Sequence, residues 1–361
     1  MLILALPCTF VVVPTFRSIA LAPIAGLYRL GIGLRNQLYH RGIFHRTSFT
    51  LPVISVGNLS VGGTGKTPHV EYLLQLLSPD YKVSLLSRGY GRKTAGFRWV
   101  NRHESAETVG DEPWQIHQKM PHIPIAVGEQ RALAIPEMLW DNPNTEVIVL
   151  DDAYQHLAVA PGLNILLTTY DQPYWKDHLL PAGWLREPRA AASRADIIVV
   201  TKCPADLTAD AQKAYRQAIQ PAAHQSVYFS TYAYGQPYPL WNSGGHSPEA
   251  AVAVAGIADP DSFFRAVRQQ ITANLDTLSF RDHHRFTRKD VERICRVFGN
   301  LAGHKKVCLT TEKDATRLLP FKDQLQAAQV PVWVLPVEVR WLSEATSFDE
   351  HVKQFIKHFE A

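Results

Sequence analysis

The sequence predicts an α/β protein of two domains, the larger a P-loop NTPase-like, doubly wound parallel sheet. Three observations carry that expectation. A glycine-rich run ending in lysine and threonine lies between an apolar, β-branched run and an amphipathic stretch over residues 51–77. Apolar runs then alternate with helical stretches as far as residue 202, the pattern of a parallel sheet with crossover helices. Beyond about residue 225 the texture shifts to aromatic-rich strand candidates enclosing a second, shorter α/β alternation. The length of 361 residues agrees, since one core stops growing at roughly 250–300 residues.

Taken in order, residues 1–16 carry no charge, are interrupted by Pro7 and Pro14, and are too short for a bilayer span of about 20 residues. Residues 19–46 mix Leu27, Leu30, Ile32, Leu34 and Leu38 with Arg29, Arg35, Arg41 and Arg46. That is a basic amphipathic helix, suited either to a membrane interface or to packing on its own domain. The charge is local. The net value is +4, yet the first 70 residues hold five arginines, Lys66 and no acid, while the other 291 hold 31 basic against 33 acidic residues. This disfavours a uniformly basic nucleic-acid binder and favours a basic N-terminal surface. Cys8, Cys203, Cys295 and Cys308 have no CxxC spacing, so neither a disulfide scaffold nor a structural zinc site is expected.

Buried strands are expected at 51–57, 81–87, 124–127, 146–152, 164–169 and 195–202. The domain plan is an interfacial segment at 1–46, a P-loop domain at 47–224 and a linker strand at 225–244. A smaller α/β domain follows at 245–328, then a return linker strand and C-terminal helix at 329–361.

The chemistry-bearing motifs start with Ser60, Val61, Gly62, Gly63, Thr64, Gly65, Lys66 and Thr67. Backbone N–H groups of such a loop surround phosphate oxygens, the lysine reaches the β/γ-phosphates and Thr67 can ligate Mg²⁺. Serine replaces the usual first glycine. Asp151 and Asp152 end an apolar strand, where acids hold the metal or activate a nucleophile; strand-end capping is the plainer alternative. Val109-Gly110-Asp111-Glu112-Pro113 precedes a helical stretch, and helix capping explains it most cheaply. Asp282-His283-His284 suits a metal site, a proton relay or an ordinary surface pair. The 180–188 loop, stiffened by two prolines, offers Arg186 and Glu187 to a phosphate and a metal. Pro204 stands where a guanine-reading aspartate would follow Thr201-Lys202, which points to ATP rather than GTP.

Together, SVGNLSVGGTGKTP (55–68), LSRGYGRK (86–93), VGDEP (109–113), DDAYQH (151–156), LLPAGWLREP (179–188), VTK (200–202), DHHRF (282–286) and TEKDATRL (311–318) resemble the tetraacyldisaccharide 4'-kinase family, the lipid A 4'-kinases of Gram-negative bacteria. The motifs run in family order over about residues 19–342. Asp-Asp-Ala-Tyr replaces the more usual Asp-Asp-Gly-Phe, and Trp184 stands where proline is common.

The resemblance implies transfer of the γ-phosphoryl of ATP to the 4'-hydroxyl of a tetraacyl glucosamine disaccharide 1-phosphate, giving lipid IVA. It implies a peripheral or monotopic protein at the cytoplasmic face of the inner membrane, meeting an anionic surface, with neither nucleic acid nor a protein partner. The site would lie in the cleft between two α/β domains joined by a two-stranded linker. Ser60 to Thr67 would hold the triphosphate; Thr67, Asp151, Asp152, Glu187 and Gln155 would form the Mg²⁺ environment. Asp111 would be the general base, paired across the cleft with His283, and Arg88, Arg131 and Arg186 would neutralise phosphate charge. Two other readings fit the phosphate loop alone: a membrane-associated P-loop regulatory ATPase, and a P-loop kinase of a soluble small molecule.

Overall fold

The computed structural model describes residues 21–241, 248–282, 284–342 and 345–360. Two sheets organise them. The larger has nine strands: β1 (Val53–Asn58), β2 (Val83–Ser87), β3 (Arg98–Trp99), β4 (Ile125–Val127), β5 (Val147–Asp151), β6 (Leu163–Thr169), β7 (Ile197–Thr201), β8 (Ser226–Tyr234) and β14 (Val337–Trp341). Their spatial order is β14-β8-β7-β6-β1-β5-β2-β4-β3. The smaller has β9 (Tyr238–Pro239), β10 (Ala250–Ala255), β11 (Leu275–Ser279), β12 (Lys306–Thr311) and β13 (Val332–Leu335), in the order β11-β10-β12-β13-β9.

The helices, in chain order, are α1 (Ala22–His40), α2 (Lys66–Leu77), α3 (Ala106–Val109), α4 (Asp111–Lys119), α5 (Arg131–Asp141) and α6 (Ala209–Ile219). The remainder are α7 (Pro260–Gln270), α8 (Arg288–Asn300), α9 (Glu312–Leu318), α10 (Lys322–Ala327) and α11 (Ala345–Lys357).

The central strands of the large sheet are apolar without alternation because both faces are covered; every residue of β1, β2, β5 and β7 is buried. β1 pairs in parallel with β5 on one side and β6 on the other. The chain leaves β1 toward one half of the sheet and, after β5, crosses to the other half. This is the switch point at which doubly wound sheets open a crevice outside their strand carboxyl ends. The phosphate loop follows β1, and Asp151 ends its neighbour β5.

The linker region differs from expectation in where its strands belong. The first half of β8 pairs in parallel with β7, and the second half pairs antiparallel with β14, so both strands extend the large sheet. β13, expected within the return linker, is a strand of the small sheet paired in parallel with β12. The crossings are short: residues 235–237 separate β8 from β9, and Pro336 alone separates β13 from β14. Strand pairing decides this, because backbone N–H and C=O groups that extend a sheet are satisfied where an isolated linker would leave them to solvent.

Candidate active site

The phosphate loop is built by backbone geometry. Gly62 and Gly65 have φ of 115° and 89°, conformations open to glycine without strain. A Cβ at Gly65 would also collide with the Tyr232 hydroxyl. His69, on the first turn of α2, donates Nδ1–H to the Gly65 carbonyl at 2.8 Å, and its Nε2 lies 3.0 Å from Ser230 Oγ. Burial holds its pKa down to about 4, so it is neutral; Nδ1–H then donates to Gly65 and Nε2 accepts from Ser230. The loop is thereby tied to β8.

The 180–188 loop lies alongside it. Val61 donates to the Trp184 carbonyl at 2.7 Å and Arg186 donates its backbone N–H to Leu59 at 2.7 Å, forming a short bridge between Ser60 and Leu185. The Arg186 side chain reaches Asp152, with Nη2 to Oδ1 at 3.2 Å, and also pairs with Asn58 Oδ1. Lys66 Nζ is 3.5 Å from the same Asp152 Oδ1 and 3.4 Å from Asn58 Oδ1. Burial alone would raise the Asp152 carboxyl, but Lys66 and Arg186 outweigh it and hold the group below its ordinary range.

Asp151 behaves oppositely. It is buried, and burial together with the nearby Glu112 and Asp152 carboxylates pushes its pKa up. Ser87 donates to Oδ2 at 3.0 Å, while Oδ1 is buried with no hydrogen-bond partner among the described residues. Gln155 donates Nε2 to the Asn58 carbonyl at 2.8 Å, and its Oε1 is likewise buried and unpartnered. Unsatisfied buried oxygens carry a large desolvation cost. Among the described residues no cluster of three or more His, Cys, Asp or Glu could cage a metal. Sparse oxygens of this kind fit Mg²⁺, which usually keeps several waters and shares its shell with phosphates.

Asp111 opens α4. Arg317, at the end of α9, donates Nη2 and Nε to Asp111 Oδ2 at 2.5 and 3.0 Å. At the other end of α4, Lys119 Nζ lies 2.6 Å from Glu71 of α2 and 2.7 Å from Glu312 of α9. Helices α4 and α9 therefore meet antiparallel and join the two sheets through ion pairs at both ends. His283, the expected partner of Asp111, lies outside the described residues.

Two expected phosphate or metal residues stand elsewhere. Arg131 is only 2% exposed; it donates to the carbonyls of Gly128 at 3.0 Å and Asp151 at 3.2 Å, so it braces the loop after β4 and the end of β5 rather than facing a phosphate. Glu187 is fully buried in a two-fold pair with Arg194 (3.0 and 3.1 Å) and accepts from Asn36 of α1 at 3.2 Å. Its carboxylate is thus committed away from the Asp151–Asp152 pair. Arg88 follows β2 directly and is exposed, close enough to depress the pKa of His156 together with Arg131 and Arg35, behind the larger effect of burial. Thr67 lies on the first turn of α2.

Three participants received no role from the sequence: Asn58, Ser87 and Arg317. Each lies inside a motif that carries the family resemblance, at 55–68, 86–93 and 311–318, but only proximity in space shows what its side chain touches.

With this geometry in place, the chain can be compared with known proteins. A family model described as tetraacyldisaccharide-1-P 4'-kinase matches residues 17–357. The chain belongs to the tetraacyldisaccharide 4'-kinase family. The tetraacyldisaccharide 4'-kinase of Flavobacterium johnsoniae is 43% identical over 343 residues, covering 93% of this chain and 96% of that protein. That of Phocaeicola vulgatus is 40% identical, covering 93% and 94%. Among solved structures, LpxK from Aquifex aeolicus in complex with ATP superposes with a TM-score of 0.72 at 28% identity, covering 95% of this chain and all of that one. This kinase is therefore an ATP-dependent enzyme of lipid A formation, with the expected mixed α/β fold.

Helix α1 leads into the site. Tyr28 donates to the Arg186 carbonyl at 3.1 Å, Arg35 donates to the Gln155 carbonyl, and Asn36 contacts Glu187. Leu27, Leu30 and Leu34, on another stripe of the same helix, are 71%, 71% and 60% exposed. The helix both packs on its own domain and leaves an apolar stripe uncovered. No helix among the described residues is long and apolar enough to cross a membrane.

Proposed function

We propose that this kinase phosphorylates the 4'-hydroxyl of a tetraacyl disaccharide 1-phosphate while docked on the cytoplasmic face of the inner membrane, using MgATP. One observation carries the site assignment: Asp152 lies between Lys66 and Arg186 beside the unpaired, buried Oδ1 of Asp151. Backbone N–H groups of residues 62–67 cradle the triphosphate, and Lys66 and Arg186 spread positive charge over the transferring group. Their present partner Asp152 holds both cations in place before the nucleotide arrives. Mg²⁺, when bound, neutralises charge on the β- and γ-phosphate oxygens, and Thr67, Asp151, Asp152 and Gln155 are the residues that would hold it.

Asp111 accepts the proton of the 4'-hydroxyl as the new O–P bond forms and the bond from the γ-phosphorus to the bridging oxygen breaks, releasing ADP. His283 is the proposed second member of that pair. The relatives' names supply the acceptor; the exposed Leu27, Leu30 and Leu34 stripe supports the membrane. A helix of this kind lies in the interface, and an acceptor with four acyl chains has to be met there.

The test is ATP-dependent conversion of tetraacyl disaccharide 1-phosphate presented in mixed micelles, followed by mass. A gain of one phosphate, absent in Lys66→Met, is expected. ATP hydrolysis without acceptor phosphorylation overturns the reading in favour of a regulatory ATPase.

A further inference from the structure

The ion pair between the two sheets at Asp111 belongs to a chain of contacts that starts deep in the smaller one. Asp314 is fully buried on α9. Its Oδ2 accepts from the Gly256 backbone at 2.8 Å and from Thr311 Oγ1 at 2.8 Å. Gly256 and Thr311 stand at the carboxyl ends of β10 and β12, the adjacent central strands of that sheet. The other oxygen, Oδ1, accepts from Arg317 Nη1 at 3.2 Å. The Arg317 guanidinium is therefore clamped from behind, and its opposite edge presents Nη2 and Nε to a single oxygen of Asp111. No hydrogen bond to Asp111 Oδ1 is found among the described residues.

We propose that Arg317 is a positioning residue for phosphoryl transfer: held by Asp314, it grips Asp111 Oδ2 and so aims Oδ1 at the acceptor hydroxyl. The inference rests on the reading of Asp111 as the base. Two donors from one planar guanidinium edge pin that oxygen in distance and direction of approach, which one point charge cannot do. A base that must meet a hydroxyl within about 2.6–3.2 Å gains from such restraint. Asp111 begins α4 in one domain while Arg317 ends α9 in the other, so the grip exists only when the two sheets are seated together. The catalytic carboxylate is thereby aligned by the smaller domain, which carries none of the phosphate loop.

The test is steady-state kinetics on Arg317→Lys and Arg317→Met in the full chain, alone and combined with Asp111→Ala. Arg317→Met is expected to lower kcat at least thirtyfold with the KM for ATP within twofold. Arg317→Lys, which keeps the charge but not the fork, should recover part of the loss. In the Asp111→Ala background, Arg317→Met should change residual turnover less than twofold. An undiminished kcat in both Arg317 variants, or a loss equally large in the Asp111→Ala background, overturns the inference. Should Arg317→Met fail to fold, Arg317→Lys alone and with Asp111→Ala decides it by the same criteria. Near-normal turnover in Asp111→Ala itself would instead overturn the base assignment, so the two failures are distinguishable.

Discussion

Ser87 donates its hydroxyl to Oδ2 of Asp151 across 3.0 Å, at the ends of two adjacent parallel strands, and leaves Oδ1 buried without a hydrogen-bond partner among the described residues. The bond fixes which oxygen is available. It does not offset the cost of burying the charge, since the carboxyl remains pushed up by burial and by Glu112 and Asp152.

Asp151→Asn should therefore separate activity from stability. Turnover should fall by about a thousandfold or more, because the proposed Mg²⁺ site loses an anionic oxygen. The raised pKa means that the folded protein holds a proton the unfolded chain has lost, so stability declines as pH rises from the ordinary carboxylate range toward neutrality. The variant, lacking that charge, should melt at or above the wild-type temperature at pH 8, with the difference narrower at pH 5. Thermal melts of the nucleotide-free protein at the two pH values check it.

His69 sets an acid limit of opposite sense. Its folded pKa of about 4 is below the unfolded value near 6.5, so its contribution is whole above pH 6.5 and is lost as pH falls toward 4. For a fully buried imidazole this amounts to about 3 kcal/mol. Urea unfolding should show the wild type losing more stability than His69→Gln between pH 6.5 and 4.5; equal slopes would refute it.

Lys119 stands between two buried carboxylates, Glu71 and Glu312, from different domains. Removing it leaves like charges facing each other in a poorly solvated space. Lys119→Met should cost about 3–5 kcal/mol in chemical denaturation. Adding Glu71→Gln should recover a substantial part, because Glu71 is the carboxyl whose pKa burial, and then Glu312, already raise.

Arg131 should prove a brace. Arg131→Met is expected to lower stability by about 2 kcal/mol or more, since it strands the Gly128 and Asp151 carbonyls, while the KM for ATP in the folded fraction stays within twofold. A tenfold rise in that KM at unchanged melting temperature would restore it as a phosphate ligand.

Leu27, Leu30 and Leu34 are exposed, so changing all three to aspartate should leave the melting temperature within about a degree while weakening co-sedimentation with anionic vesicles at least tenfold. Unaltered vesicle binding would place the membrane contact elsewhere.

The residues of the proposed nucleotide site could be singled out in the sequence because they are contiguous. Gly62 to Gly65 form one loop that runs directly into Lys66 and Thr67 of α2, and Asp151-Asp152 end one strand, so spacing alone marks them as candidates for a phosphate site. Glu187 was misplaced for the converse reason. It adjoins Arg186, but successive residues of an extended segment point to opposite sides, and only Arg186 faces Asp152 while Glu187 turns toward Arg194 and α1. Arg131 likewise carried a charge whose burial no local pattern reveals. Arg317 lies 206 residues from Asp111 in the chain, and nothing in a single sequence pairs them.

The sequence by itself determined the P-loop fold, the two α/β units, the kinase family and the basic amphipathic helix, because these are written in contiguous periodicity and short motifs. Only the tertiary structure decided that β8 and β14 extend the large sheet, that Asp151 Oδ1 is buried without a partner among the described residues, and that Asp111 is gripped by Arg317 from the other domain. Those outcomes depend on which backbone edges find partners and which charges lose water, and both are settled only when distant segments pack together.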